Sequence, residues 1–102
     1  HQPRLVMLPS PDNPTGATIG LQTWESWLMQ YPHTLFVLDQ AYGEYEADDM
    51  AFLRLVDNYP NLLITRTFSK AWGLAGFRLG ILLGQARLIA WLATVRSPFS
   101  VN

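Results

Sequence analysis

Four short aliphatic runs constrain this chain more than any other feature: "LVML" (Leu5 to Leu8), "LFVL" (Leu35 to Leu38), "LLI" (Leu62 to Ile64) and "ILL" (Ile81 to Leu83). They are continuous rather than alternating, which is the pattern of strands covered on both faces. The intervening segments carry a helical period instead. Trp24, Trp27, Leu28 and Tyr31 follow the i, i+3, i+4, i+7 spacing of one face, between Gly20 and a stop before Pro32. A second helix is predicted from Asp48 or Asp49, as N-cap, to just before "NYPN", burying Phe52, Leu55 and Val56. A third runs from about Gln85 to Val95, with Leu88, Ile89, Leu92 and Val95 on one side.

Strand, helix, strand, helix, strand implies crossover units and a mostly parallel sheet with helices on its faces, a three-layer α/β/α fold. The fourth run follows too short a loop for a crossover helix, so it is expected to run antiparallel. Composition adds a second expectation. Only 15% of the 102 residues are charged and 49% are apolar, with four Trp. A lone small domain needs more polar cover than that. Residues 1–102 are therefore expected to be a fragment of one larger domain, with no second domain present. Trp24, Trp27, Trp72 and Trp91 are expected in the core.

In open α/β sheets, ligands sit beyond the carboxyl ends of the strands. "PSPDNPTG" follows the first strand, "DQAYGEY" the second and "TRTFSK" the third. If the strands are parallel, Asn13, Asp39, Tyr42, Thr67, Ser69 and Lys70 converge on one edge. Lys70 is the only lysine, set between an apolar strand and a Gly-rich turn. A lysine that is desolvated or near other cations loses proton affinity and can condense with a carbonyl. The carbonyl that uses such a lysine together with a carboxylate and an anion-binding cluster is pyridoxal phosphate, whose ring nitrogen a carboxylate keeps protonated. Asp39 suits that role. Thr67 and Ser69 offer hydroxyls, and Arg78 a planar fork for phosphate oxygens. Asn13 and Tyr42 offer donors to the ring oxygen.

Blander readings apply to each residue singly. Asp39 could cap a turn, "NPTG" is a good turn by composition, Tyr42 could only pack, and Arg78 could pair at the surface. "GLAGFRLG" is neither a Walker loop nor a dinucleotide fingerprint. His1 and His33 lack partners at metal-ligand spacing, there is no Cys, and no metal site is expected. A net charge of -1 without a basic run argues against nucleic acid, and no apolar run is long enough for a membrane span. These features fit a cytoplasmic protein.

The blocks "SPDNPTG", "FVLDQAY" and "TRTFSKAWGLAGFRLG" resemble, in order and spacing, the signatures of the fold-type I aminotransferases that use pyridoxal phosphate. Within that family the lysine block and "RSPFSVN" are most similar to the histidinol-phosphate aminotransferase subgroup. The resemblance implies that Lys70 bonds the cofactor and shuttles the proton, and that Asp39 pairs with the pyridine nitrogen. It further implies that Asn13 and Tyr42 bond the ring oxygen, while Thr67, Ser69 and Arg78 hold the phosphate. The implied reaction moves an amino group from glutamate to imidazole-acetol phosphate, in a cytoplasmic homodimer. Asp12, Gln40 and Gly43 depart from common family residues and leave the substrate subgroup open. A threonine-phosphate decarboxylase on the same scaffold, or a non-catalytic domain, are the alternatives. An intact member also has an N-terminal phosphate loop, an aromatic residue stacked on the ring and a C-terminal arginine for substrate. An isolated 102-residue chain is therefore not expected to turn over.

Overall fold

The computed structural model describes residues 2–42, 49–67, 76 and 79–95. Along the chain run β1 (Leu5–Pro9), α1 (Leu21–Gln30), β2 (Leu35–Asp39), α2 (Asp49–Asn58), β3 (Leu62–Thr67), β4 (Gly80–Leu83) and α3 (Ala86–Ala93). The four strands form one sheet in the order β1-β2-β3-β4. β1, β2 and β3 are parallel, and β4 pairs antiparallel with β3, the direction expected for it.

Register decides which side chains share a face. Val6, Phe36 and Leu62 are aligned across the first three strands; Leu8, Leu38, Ile64 and Leu83 are aligned one pleat further on. These residues pack against Trp24 and Leu28 of α1 and Phe52 and Leu55 of α2, forming the core. Trp24 meets Trp27 and Phe36 edge to face, with centroids 5.6 and 6.3 Å away. Asn61 then ties the two ends of this layer together, its side-chain amide donating to the carbonyls of Leu28, Tyr31 and Thr34 at 3.2 Å each. On the other face, a methyl added at Gly84 would meet Leu63 Cδ2 at 2.6 Å and Ile89 Cδ1 at 3.3 Å. Gly84 thus leaves room for the side chains of Leu63 and of Ile89 in α3.

Central strands match the expectation of cover on both faces: Phe36, Val37, Leu38, Leu62, Leu63 and Ile64 are all buried. β1 does not. Leu5 and Met7 are 57% and 58% exposed, while Val6 and Leu8 pack inward. β4 is similarly open, with Ile81 and Leu82 exposed. Both are edge strands: β1 leaves the face carrying Leu5 and Met7 open, whereas β4 is exposed at Ile81 and Leu82, consecutive residues that point to opposite faces. Two further expectations are corrected in the same way. Trp91 is 78% exposed and Val95 is 79% exposed, so neither is core. α3 is short and lies at the margin, where only Leu88, Ile89 and Leu92 find partial cover. Trp24 is core and Trp27 half-buried, whereas Trp72 lies outside the described residues. No helix among the described residues is long and apolar enough to cross a membrane.

Candidate active site

The parallel arrangement brings the carboxyl ends of β1, β2 and β3 to one edge, and a cleft of about 330 Å³ opens there. Pro9, Pro11, Asp12, Asn13, Asp39, Ala41 and Tyr42 line it. Three of the sequence-predicted residues therefore share one cavity although 29 positions separate Asn13 from Tyr42.

The loop after β1 is held by its own hydrogen bonds. The Gly16 amide donates to the Asp12 carbonyl at 2.8 Å, and the Asp12 amide donates to the Ala17 carbonyl at 2.8 Å. Thr15 Oγ1 donates to Asp12 Oδ2 at 2.7 Å, closing the turn from within. Gly16 has φ of 71°, a left-handed conformation that a Cβ would disfavour, which explains the glycine at the end of "NPTG". Buried Ser10 fixes the loop's entry: its amide donates to the Asp39 carbonyl at 3.0 Å, and its hydroxyl accepts from the Ile19 amide at 2.9 Å. The turn thereby aims Asn13 across the cleft, where its Nδ2 donates to Tyr42 Oη at 3.1 Å. Two hydrogen-bonding groups predicted for one ring oxygen thus converge on one place.

Asp39 is the last residue of β2 and is half-buried. Its Oδ1 accepts from the Ala41 amide and from Thr65 Oγ1, both at 3.1 Å. Both of these bonds fall on Oδ1; among the described residues no donor is seen on Oδ2. Beside it, fully buried Gln40 accepts through Oε1 from Arg66 Nε at 3.2 Å and Nη2 at 2.7 Å. The Gln40 amide also donates to the Thr65 carbonyl at 2.9 Å. That double attachment to β3 fixes the backbone at the point where Asp39 leaves the sheet. Thr67, at the end of β3, directs its hydroxyl to the Leu79 carbonyl at 3.4 Å.

Ser69, Lys70 and Arg78 lie outside the described residues. The sequence alone does not mark Thr65, Ser10 or Gln40 as site-forming. Thr65 had one available signal, its place within "TRTFSK", but its link to Asp39 comes from strand register. No group of His, Cys, Asp and Glu among the described residues could hold a metal ion.

The residues lining the cleft fit pyridoxal phosphate. A carboxylate lining the cleft suits a protonated ring nitrogen, and the Asn13–Tyr42 pair suits a ring oxygen. The chain is similar to several known proteins. Histidinol-phosphate aminotransferase 1 of Cupriavidus pinatubonensis is 45% identical over 97% of this chain and 27% of its own length. Among solved structures, the histidinol-phosphate aminotransferase from Sinorhizobium meliloti in complex with pyridoxal-5'-phosphate is 34% identical. It superposes with a TM-score of 0.78, covering 92% of this chain and 26% of that one. L-threonine-O-3-phosphate decarboxylase from Porphyromonas gingivalis is 28% identical with a TM-score of 0.84, covering 96% of this chain and 30% of that one. The chain thus spans little more than a quarter of the length of the curated relative. The family profile described as aminotransferase class I and II matches residues 1–102, and the chain belongs to that family.

Proposed function

We propose that the natural full-length protein is a pyridoxal-phosphate-dependent aminotransferase, exchanging an amino group between glutamate and a keto acceptor, with imidazole-acetol phosphate as the acceptor. The observation that carries this reading is the Asp39 carboxylate, held through Oδ1 by Thr65 and the Ala41 amide, in the same cleft as Asn13 and Tyr42. When bound, the cofactor supplies an electron sink that makes the amino acid's Cα–H acidic.

This chain's residues have the following roles in the proposal. Asp39 holds a proton on the ring nitrogen, and Asn13 and Tyr42 orient the ring through its oxygen. Thr67, Ser69 and Arg78 hold the phosphate, with Arg78 offering a fork of donors to its oxygens. Lys70 would hold the cofactor through its aldehyde, and its amine would serve as the base that takes and returns the proton at the substrate Cα. A cytoplasmic homodimer belongs to the same proposal, supported by the resemblance of the three sequence blocks to such enzymes.

The test is an assay of the full-length protein with histidinol phosphate and 2-oxoglutarate, beside one with threonine phosphate. Formation of glutamate and imidazole-acetol phosphate is the expected result. A second reading, a lyase, is favoured by the likeness to the Porphyromonas gingivalis decarboxylase. Carbon dioxide released from threonine phosphate, with no glutamate formed, would replace the first reading by the second.

A further inference from the structure

We propose that Thr65 is a positioning residue for Asp39: its hydroxyl orients the carboxylate so that Oδ2 alone faces the cleft and meets the cofactor's ring nitrogen. This inference rests on the cofactor reading above. Its basis is the sheet itself. Asp39 and Thr65 are register partners on adjacent parallel strands, and Thr65 Oγ1 donates to Asp39 Oδ1 at 3.1 Å. The Ala41 amide donates to the same oxygen at 3.1 Å. An oxygen of an ionised carboxylate has about two lone-pair sites, so two donors leave Oδ1 fully engaged. Rotating the carboxylate would break both bonds, each charge-assisted and stronger than a neutral pair.

Thr65 is itself held. It is β-branched within a strand, which restricts its side-chain torsion, and its carbonyl accepts from the Gln40 amide at 2.9 Å. Main chain and side chain of one residue therefore grip Asp39 and its successor together. The contrast with Thr67 is informative. Two positions along the same strand, its hydroxyl turns to the Leu79 carbonyl and not to the carboxylate.

The experiment compares Thr65→Val, Thr65→Ser and Asp39→Asn in the full-length protein, reading the pyridoxal phosphate dissociation constant and the kcat and KM for glutamate. Thr65→Val keeps the shape and removes the donor. It is expected to weaken cofactor binding by roughly tenfold, the scale of one hydrogen bond to a charged group, and to lower kcat with little change in KM. Thr65→Ser restores the donor and is expected to bring both quantities back to within about twofold of the natural protein. Asp39→Asn is expected to weaken binding more than Thr65→Val does. If Asp39→Asn is severe while Thr65→Val behaves as the natural protein, the Thr65 inference fails alone. Failure of Thr65→Ser to rescue overturns it too, since the loss would then come from packing. If Asp39→Asn changes nothing, the cofactor reading fails and the inference with it. Thr65→Ala repeats the comparison if the valine variant does not fold.

Discussion

Replacing Lys70 with alanine is expected to lower the turnover of the full-length protein by about 10,000-fold, the upper end of what one positioned acid–base group contributes. Two functions disappear together. On the proposed function, the amine that would bond the cofactor is lost, and so is the base that would move the substrate proton. No neighbouring residue in "TRTFSKAWGLAGFRLG" can replace it, because Lys70 is the only lysine of the chain and the hydroxyls of Thr67 and Ser69 are far weaker bases. Because the remaining cofactor contacts are untouched, binding should fall much less than turnover. Single-turnover absorbance with glutamate checks the rate, and added methylamine should recover part of it. A loss below about tenfold would remove Lys70 from the proton-transfer role.

A second large effect concerns the layer beneath the cleft. Trp24→Ala is expected to destabilise the fold by roughly 3–5 kcal/mol. Trp24 is fully buried, contacts Trp27 and Phe36 edge to face, and joins α1 to β2 within the core. Its indole Nε1 is buried and has no hydrogen-bond partner among the described residues. Removing the N–H therefore costs no bond, so Trp24→Phe should lose much less than Trp24→Ala, because it retains an aromatic ring against Phe36. Urea midpoints of both variants in the full-length protein provide the comparison. Equal losses would mean that shape complementarity at the indole, not aromatic volume, sets the stability of this layer.

Periodicity was enough to reveal the main architecture. Trp24 and Leu28 on one helical stripe, with buried aliphatic runs in β2 and β3, specify a helix lying on a parallel sheet. The short connection before β4 also carried its direction. What periodicity cannot supply is the identity of the neighbour that covers an apolar face. Leu5, Met7, Trp91 and Val95 look like core residues in sequence, yet remain open because nothing described packs over them. An apolar side chain states a preference for burial, while the surrounding elements decide whether it is met.

The site divides along the same line. Asn13, Asp39 and Tyr42 could be grouped because each lies at or just beyond the carboxyl end of a strand and the strands are parallel, a topological argument that needs no register. Thr65 could not, because its bond to Asp39 depends on which residues of β2 and β3 stand side by side. A shift by one position would have turned the hydroxyl to the opposite face. Gln40 posed a related difficulty. Its burial and its bonds to Arg66 follow from pairing between strand ends, although composition marks it only as a polar residue after an aspartate.

The functional account depends above all on one lysine amine meeting the cofactor that Asp39 orients. Reduction of the full-length protein with borohydride in the presence of pyridoxal phosphate, followed by peptide mass mapping, tests that meeting directly. A pyridoxyl group on the peptide containing Lys70, diminished in the Asp39→Asn variant, is the expected result. A label on a different lysine, or none on the Lys70 peptide, would contradict it.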